Sequence, residues 1–183
     1  MNNINIIGLL KTEKAVEESG ERILYIEASR EDIDTSEEMV LCRALRDSAD
    51  YFLKFGNVDL DHETKLRNPK VKNPYLYEIG KPIEVKTTED NVTLVKVQLY
   101  SGTGDSAQMA NYVWSSLTEQ VPPQVWYASI GGQVTNTRDT RTPDGKEIKM
   151  ITGVRWNNLA LSKTPCLTTL NPSSLTPIGA FAK

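Results

Sequence analysis

Asn91-Val92-Thr93-Leu94-Val95-Lys96-Val97-Gln98-Leu99-Tyr100 is rich in β-branched residues and alternates clearly from Val95 to Leu99, with Lys96 and Gln98 set between apolar neighbours. A side-chain period of two is that of a strand with one face buried. Glu89-Asp90-Asn91 supplies a turn before it, and Tyr75-Leu76-Tyr77-Glu78-Ile79-Gly80 opens another strand that reaches about residue 86. Working back from this pair, residues 63 to 74 are polar, basic and broken by Pro69 and Pro74, which predicts an exposed loop. Ahead of the loop, Asn57-Val58-Asp59-Leu60-Asp61-His62 predicts a strand with Val58, Leu60 and His62 on one face and the two aspartates on the other. Thr35 with Glu38 forms a capping box, and Val40, Leu41, Ala44, Leu45, Ala49, Phe52 and Leu53 recur at helical spacing until Gly56. Residues 3 to 10 and Arg22 to Ala28 are expected to be strands, paired through a polar turn around Glu17 to Gly20.

Working forward, Ser101-Gly102-Thr103-Gly104-Asp105 leads into a helix carrying Met109, Ala110, Val113, Trp114 and Leu117, which ends before Pro122-Pro123. These glycines are no phosphate loop, because no Gly-Lys-Ser/Thr ending follows. Trp126-Tyr127-Ala128-Ser129-Ile130-Gly131-Gly132 is a further strand. Glycines inside an apolar strand weaken it, a cost that makes sense where a backbone or loop must approach closely. Arg138 to Gly145 has hairpin-loop chemistry around Pro143-Asp144-Gly145, with strands at 146 to 152 and 154 to 162 after it. The pattern predicts an α+β fold, mainly an antiparallel barrel-like sheet with two long helices outside it. Residues 1 to 165 form the domain, and 166 to 183, with prolines and several Ser/Thr, form a tail or a strap laid over the surface.

The chain has 183 residues, 39% hydrophobic and 25% charged, which fits one domain with a core that needs no staples. A net charge of -3 gives no reason to expect a nucleic-acid surface. No stretch is long and apolar enough for a membrane span, and the N-terminal Met-Asn-Asn-Ile-Asn-Ile-Ile-Gly lacks the basic region of a signal peptide. Cys42 and Cys166 allow at most one disulfide and are expected to be buried thiols in a reducing compartment. With two cysteines and one histidine, a zinc site would need carboxylates to complete it, so neither metal nor cofactor is expected. Trp114, Trp126 and Trp156 are expected as core anchors.

His62 is the only histidine. A serine nucleophile needs a base near neutral pH, and imidazole is the usual one. If the chain carries out Ser/His hydrolysis, His62 is therefore the base. The competing reading is a core histidine bonded to a backbone carbonyl, with Ser129 as a small strand residue.

The order of these features resembles the maturation (prohead) proteases of tailed phages, a family related to herpesvirus assemblin. The matching points run from Val58-Asp59-Leu60-Asp61-His62 through Tyr77-Glu78-Ile79-Gly80-Lys81-Pro82 and the helix from Gln108 to Leu117. They continue through Ala128-Ser129-Ile130-Gly131-Gly132 to Leu159-Ala160-Leu161-Ser162-Lys163-Thr164-Pro165, and so cover roughly Gly8 to Pro165. The resemblance implies an assemblin-like fold and a serine endopeptidase in which His62 activates Ser129 and backbone N–H groups stabilise the oxyanion. It implies as substrates the scaffold protein, the major capsid protein and the protease itself. The place of action would be the assembling prohead in the host cytoplasm, and assemblin suggests a homodimer. The family's third catalytic position, typically acidic, falls on or near Asn158. An asparagine can orient an imidazole but cannot stabilise imidazolium by charge, which leaves open a slow enzyme or an acid from elsewhere such as Glu147. A non-catalytic virion or scaffold protein built on the same β-rich domain is the alternative.

Overall fold

In a computed structural model that describes residues 20–66 and 68–182, seven strands form one sheet. They are β1 (Arg22–Arg30), β2 (Glu38–Val40), β3 (Asn57–Leu60), β4 (Glu78–Thr87), β5 (Val92–Leu99), β6 (Tyr127–Arg141) and β7 (Glu147–Ser162). The helices are α1 (Cys42–Asp47), α2 (Ala49–Phe55) and α3 (Gln108–Thr118). The sheet runs β1-β5-β4-β3-β7-β2, with β6 on the other edge of β7. Four pairings are antiparallel, while β2 and β3 both lie parallel to β7, so the fold is α+β with a curled, mixed sheet. The strand expected over residues 3 to 10 lies outside the described residues.

The alternation in β5 works as expected: Val95, Val97 and Leu99 are buried against Leu24 and Ile26 of β1 and Val58 of β3. Helix α3 closes one side of this core with Ala110, Val113, Trp114 and Leu117, whose spacing by three and four residues makes one apolar stripe. Its buried Ser116 hydroxyl accepts the indole N–H of Trp126 at 2.9 Å. Trp114, Trp126 and Trp156 are all core residues.

The single helix expected from Thr35 onward does not form. The carboxylate of Asp34 accepts the backbone N–H groups of Ser36 at 2.8 Å and Glu38 at 3.0 Å, a local turn that competes with a helix start. The chain then extends as β2 along Lys149–Ile151 of β7. Helix begins only at Cys42 and breaks again at Ser48, whose hydroxyl accepts the backbone N–H of Trp156 at 2.8 Å. The break aims Phe52 at Trp156, and the two rings stack with centroids 3.9 Å apart. Pro74–Tyr77 is a short 3-10 turn rather than strand, with the Asn73 side chain capping it, so β4 starts at Glu78.

Residues beyond Pro165 are a strap, not a loose tail. Ser174 exchanges two backbone hydrogen bonds with Tyr25 of β1, and the Ser173 N–H donates to the Trp126 carbonyl at 2.8 Å. Leu170 is 5% exposed and joins the main core. The strap thus spans the seam between β1 and the start of β6. Cys42 is buried as expected, whereas Cys166, on the strap, is exposed.

Leu170→Ala is expected to lower unfolding stability by about 2–5 kcal/mol in urea denaturation, the cost of emptying a core position. A change below about 0.5 kcal/mol is what a residue lying on the surface would give.

Candidate active site

Strand β7 carries one residue more than β6 beside the two glycines. Gly131 stands opposite Asn158 and Gly132 opposite Trp156, so Asn157 is a bulge. Side chains on a strand alternate between faces, and an extra residue resets that alternation. Trp156, Leu159 and Leu161 therefore all face the core, while Asn158 joins the opposite face with Ser129 and Gly131. The Arg155 carbonyl comes within 2.6 Å of where a Cβ on Gly132 would stand, which is why a glycine lies across from the bulge.

His62 reaches this face from a turn and not from a strand. Strand β3 ends at Leu60, and Asp61 and His62 both adopt left-handed backbone, with φ of 49° and 61°. Such a conformation in a residue other than glycine costs about 1–2 kcal/mol. Hydrogen bonds hold it: Asp61 N–H donates to Leu161 O at 3.2 Å, and Lys65 and Leu66 N–H donate to the His62 carbonyl at 2.8 and 2.9 Å. The buried carboxylate of Asp59 accepts the Thr64 backbone N–H at 2.9 Å and its hydroxyl at 2.5 Å. The chain is thereby folded back over the outer face of the sheet.

The structure brings His62, Ser129 and Asn158 together. Imidazole Nε2 lies 2.8 Å from Ser129 Oγ, and Nδ1 lies 2.5 Å from Asn158 Oδ1. The Asn158 amide nitrogen donates to Asn57 Oδ1 at 3.0 Å, on the adjacent parallel strand β3. With its nitrogen so committed, Asn158 presents only oxygen to the ring, so Nδ1 is the donor to it, and in a neutral imidazole Nε2 is the acceptor that faces the serine hydroxyl. Asn158 is fully buried; His62 and Ser129 are half-buried and border a cavity.

Gly131 is what lets the ring lie there. A Cβ at this position would stand 2.7 Å from Asn158 Oδ1 and 3.0 Å from His62 Nδ1. The close approach expected from the glycines is that of the imidazole and its partner. The two aspartates that precede the histidine make no contact with its ring nitrogens. Asp59 is engaged by Thr64, and Asp61 is exposed near Lys163, whose ammonium donates to Val125 O and lies 3.6 Å from the Trp126 ring centroid. Burial lowers the pKa of that lysine, and the Asp61 charge partly restores it. Glu147 is excluded as the third member: it pairs with Arg141 at the far end of the β6–β7 arm, about 40 Å along β6 from Ser129 at roughly 3.3 Å per residue.

The cavity, about 750 Å³, follows β6 from Ser129 to Val134 and is walled by Arg30, Val154, and Leu167 and Leu170 of the strap. Among the described residues β6 pairs only with β7, and its other edge faces Ala28–Arg30 of β1 across the cavity without hydrogen-bonding to that strand. No group of residues suited to holding a metal ion occurs among the described residues. Comparison with models of known families, with curated proteins and with solved structures yields no match to this chain.

Gly131→Ala is expected to leave a cooperatively folded protein but to push the imidazole off Asn158, lowering the rate of Ser129 labelling by a fluorophosphonate by about 10²-fold. Circular dichroism and labelling kinetics on the same sample check both halves.

Proposed function

We propose that this chain is a serine endopeptidase, with Ser129 as nucleophile, His62 as general base and Asn158 as the group that orients the imidazole. The observation that carries this reading is the short contact of Nε2 with Ser129 Oγ while Asn158 Oδ1 holds Nδ1. In this mechanism the Ser129 oxygen attacks a peptide carbonyl as its proton passes to Nε2. The same proton then goes to the leaving amine, releasing the first product and an acyl-enzyme. Water, deprotonated by Nε2, releases the acyl group and restores the serine.

A polypeptide substrate is favoured by what flanks the serine. A strand edge that no described strand pairs can receive an extended peptide by backbone hydrogen bonds, and the neighbouring cavity can take side chains from it. The order of motifs along the chain supports a more specific reading, a prohead protease with an assemblin-like fold acting on scaffold and major capsid protein inside the assembling capsid. No helix among the described residues is long and apolar enough to cross a membrane.

An amide third member fixes orientation but leaves imidazolium without a counter-charge, so turnover should be slow relative to an acid-containing triad. Fluorophosphonate labelling followed by mass spectrometry should place the adduct on Ser129. Ser129→Ala should abolish both labelling and self-cleavage, and His62→Ala should slow labelling by at least about 10³-fold. Wild-type protein that neither labels nor cleaves would instead identify a non-catalytic assembly component.

A further inference from the structure

Behind Asn158 lies a row of polar side chains that the hydrolytic chemistry does not itself touch. Asn57 Nδ2 donates to Thr64 Oγ1 at 3.0 Å and to Glu78 Oε2 at 3.2 Å. The Thr64 hydroxyl spends its only proton on Asp59 Oδ2, so toward Asn57 it can only accept. Glu78, as a carboxylate, can only accept as well, and its other oxygen takes the Tyr100 hydroxyl at 2.7 Å. Burial and the Glu78 carboxylate raise the pKa of that phenol, which keeps it a neutral donor.

Amide oxygen and nitrogen have nearly the same shape, so what decides which way an asparagine points is its partners. Here both partners on one side of Asn57 demand N–H. Its oxygen must then face Asn158, which must answer with its own nitrogen and turn its oxygen to the ring. We infer that Asn57, anchored by Glu78 and Thr64, is a positioning residue that sets the tautomer of His62 through Asn158. An acid does contribute to this site, but two amides removed, supplying direction in place of charge. The inference deepens the hydrolase reading and uses the same site.

The alternative orientation shows what the anchor prevents. If Asn57 were free to turn over, Asn158 could present its nitrogen to Nδ1. Nδ1 would then have to accept, the ring proton would move to Nε2, and the base would have no lone pair for Ser129. A wrong tautomer alone costs a serine protease triad orders of magnitude in rate.

The single histidine makes this measurable without reference to turnover. In protein labelled with ¹⁵N-histidine and titrated to the neutral plateau of the imidazole, wild type should show the proton on Nδ1. Asn57→Ala should show a mixture of tautomers and about 10²-fold slower labelling by a fluorophosphonate. The double variant Thr64→Val/Glu78→Leu keeps Asn57 but removes both acceptors, and should also give the mixture; it decides the matter if Asn57→Ala does not fold. A wild-type ring with its proton on Nε2, or unchanged Nδ1–H in either Asn57→Ala or the double variant, would overturn the inference. Wild type that holds Nδ1–H yet never labels would overturn the hydrolase reading alone.

Discussion

One additional residue in β7, Asn157, couples the core of this protein to its site. Without the bulge, Trp156 and Asn158 would lie on the same face, and either the indole would leave the core or the amide would leave the imidazole. With it, Trp156 stacks on Phe52 and its backbone N–H donates to the Ser48 hydroxyl, fixing the break between α1 and α2. Two positions later the same strand presents Asn158 to His62. Packing density in the interior resists small displacements, so the geometry of the outer face inherits the rigidity of the inner one.

The outer face shows how a polar array is made tolerable in a buried setting. Asn158 is fully buried, and both ends of its amide are bonded, one to His62 and one to Asn57. A carboxylate in its place would have brought a charge out of water beside Asn57 Oδ1, which offers it no proton. The pair of amides avoids that penalty and forgoes the stabilisation of imidazolium that a carboxylate would provide. Strain is placed in the turn that carries His62, where a dense set of backbone hydrogen bonds offsets it. Strain of this kind gathers where geometry matters for chemistry.

Much of this was legible in the residues. Alternation in Val92–Leu99, the apolar stripe of Met109 to Leu117 and the glycine pair after Ser129 each reported a local constraint that tertiary structure respects. The single histidine narrowed any imidazole base to one position. What the sequence hid were features that depend on pairing partners. Glu38–Val40 reads as the first turn of a helix until β7 is alongside it, and Asp34 takes the Glu38 N–H that a Thr35 cap would have used. His62 continues the alternation of β3 on paper, yet the left-handed turn that carries it depends on Asp59 capturing Thr64. Asn57 gives no local sign of its role, because its neighbour Asn158 is a hundred residues away and meets it only through a parallel register. Likewise the strap is rich in proline and hydroxyl residues, and only the seam between β1 and β6 shows why Leu170 is buried.

The polar row runs crosswise to the strands, with one member from each of β6, β7, β3 and β4 and its end just past β5. Slipping any one strand by a single residue would turn its contribution inside out. If Ser129 is the proposed nucleophile, its reactivity would gauge alignment: chains trapped in a shifted pairing, or collapsed but not yet zipped, would carry every reactive group and be chemically silent. On the proposed reading, a destructive activity would in this way be withheld from every conformer but the finished one.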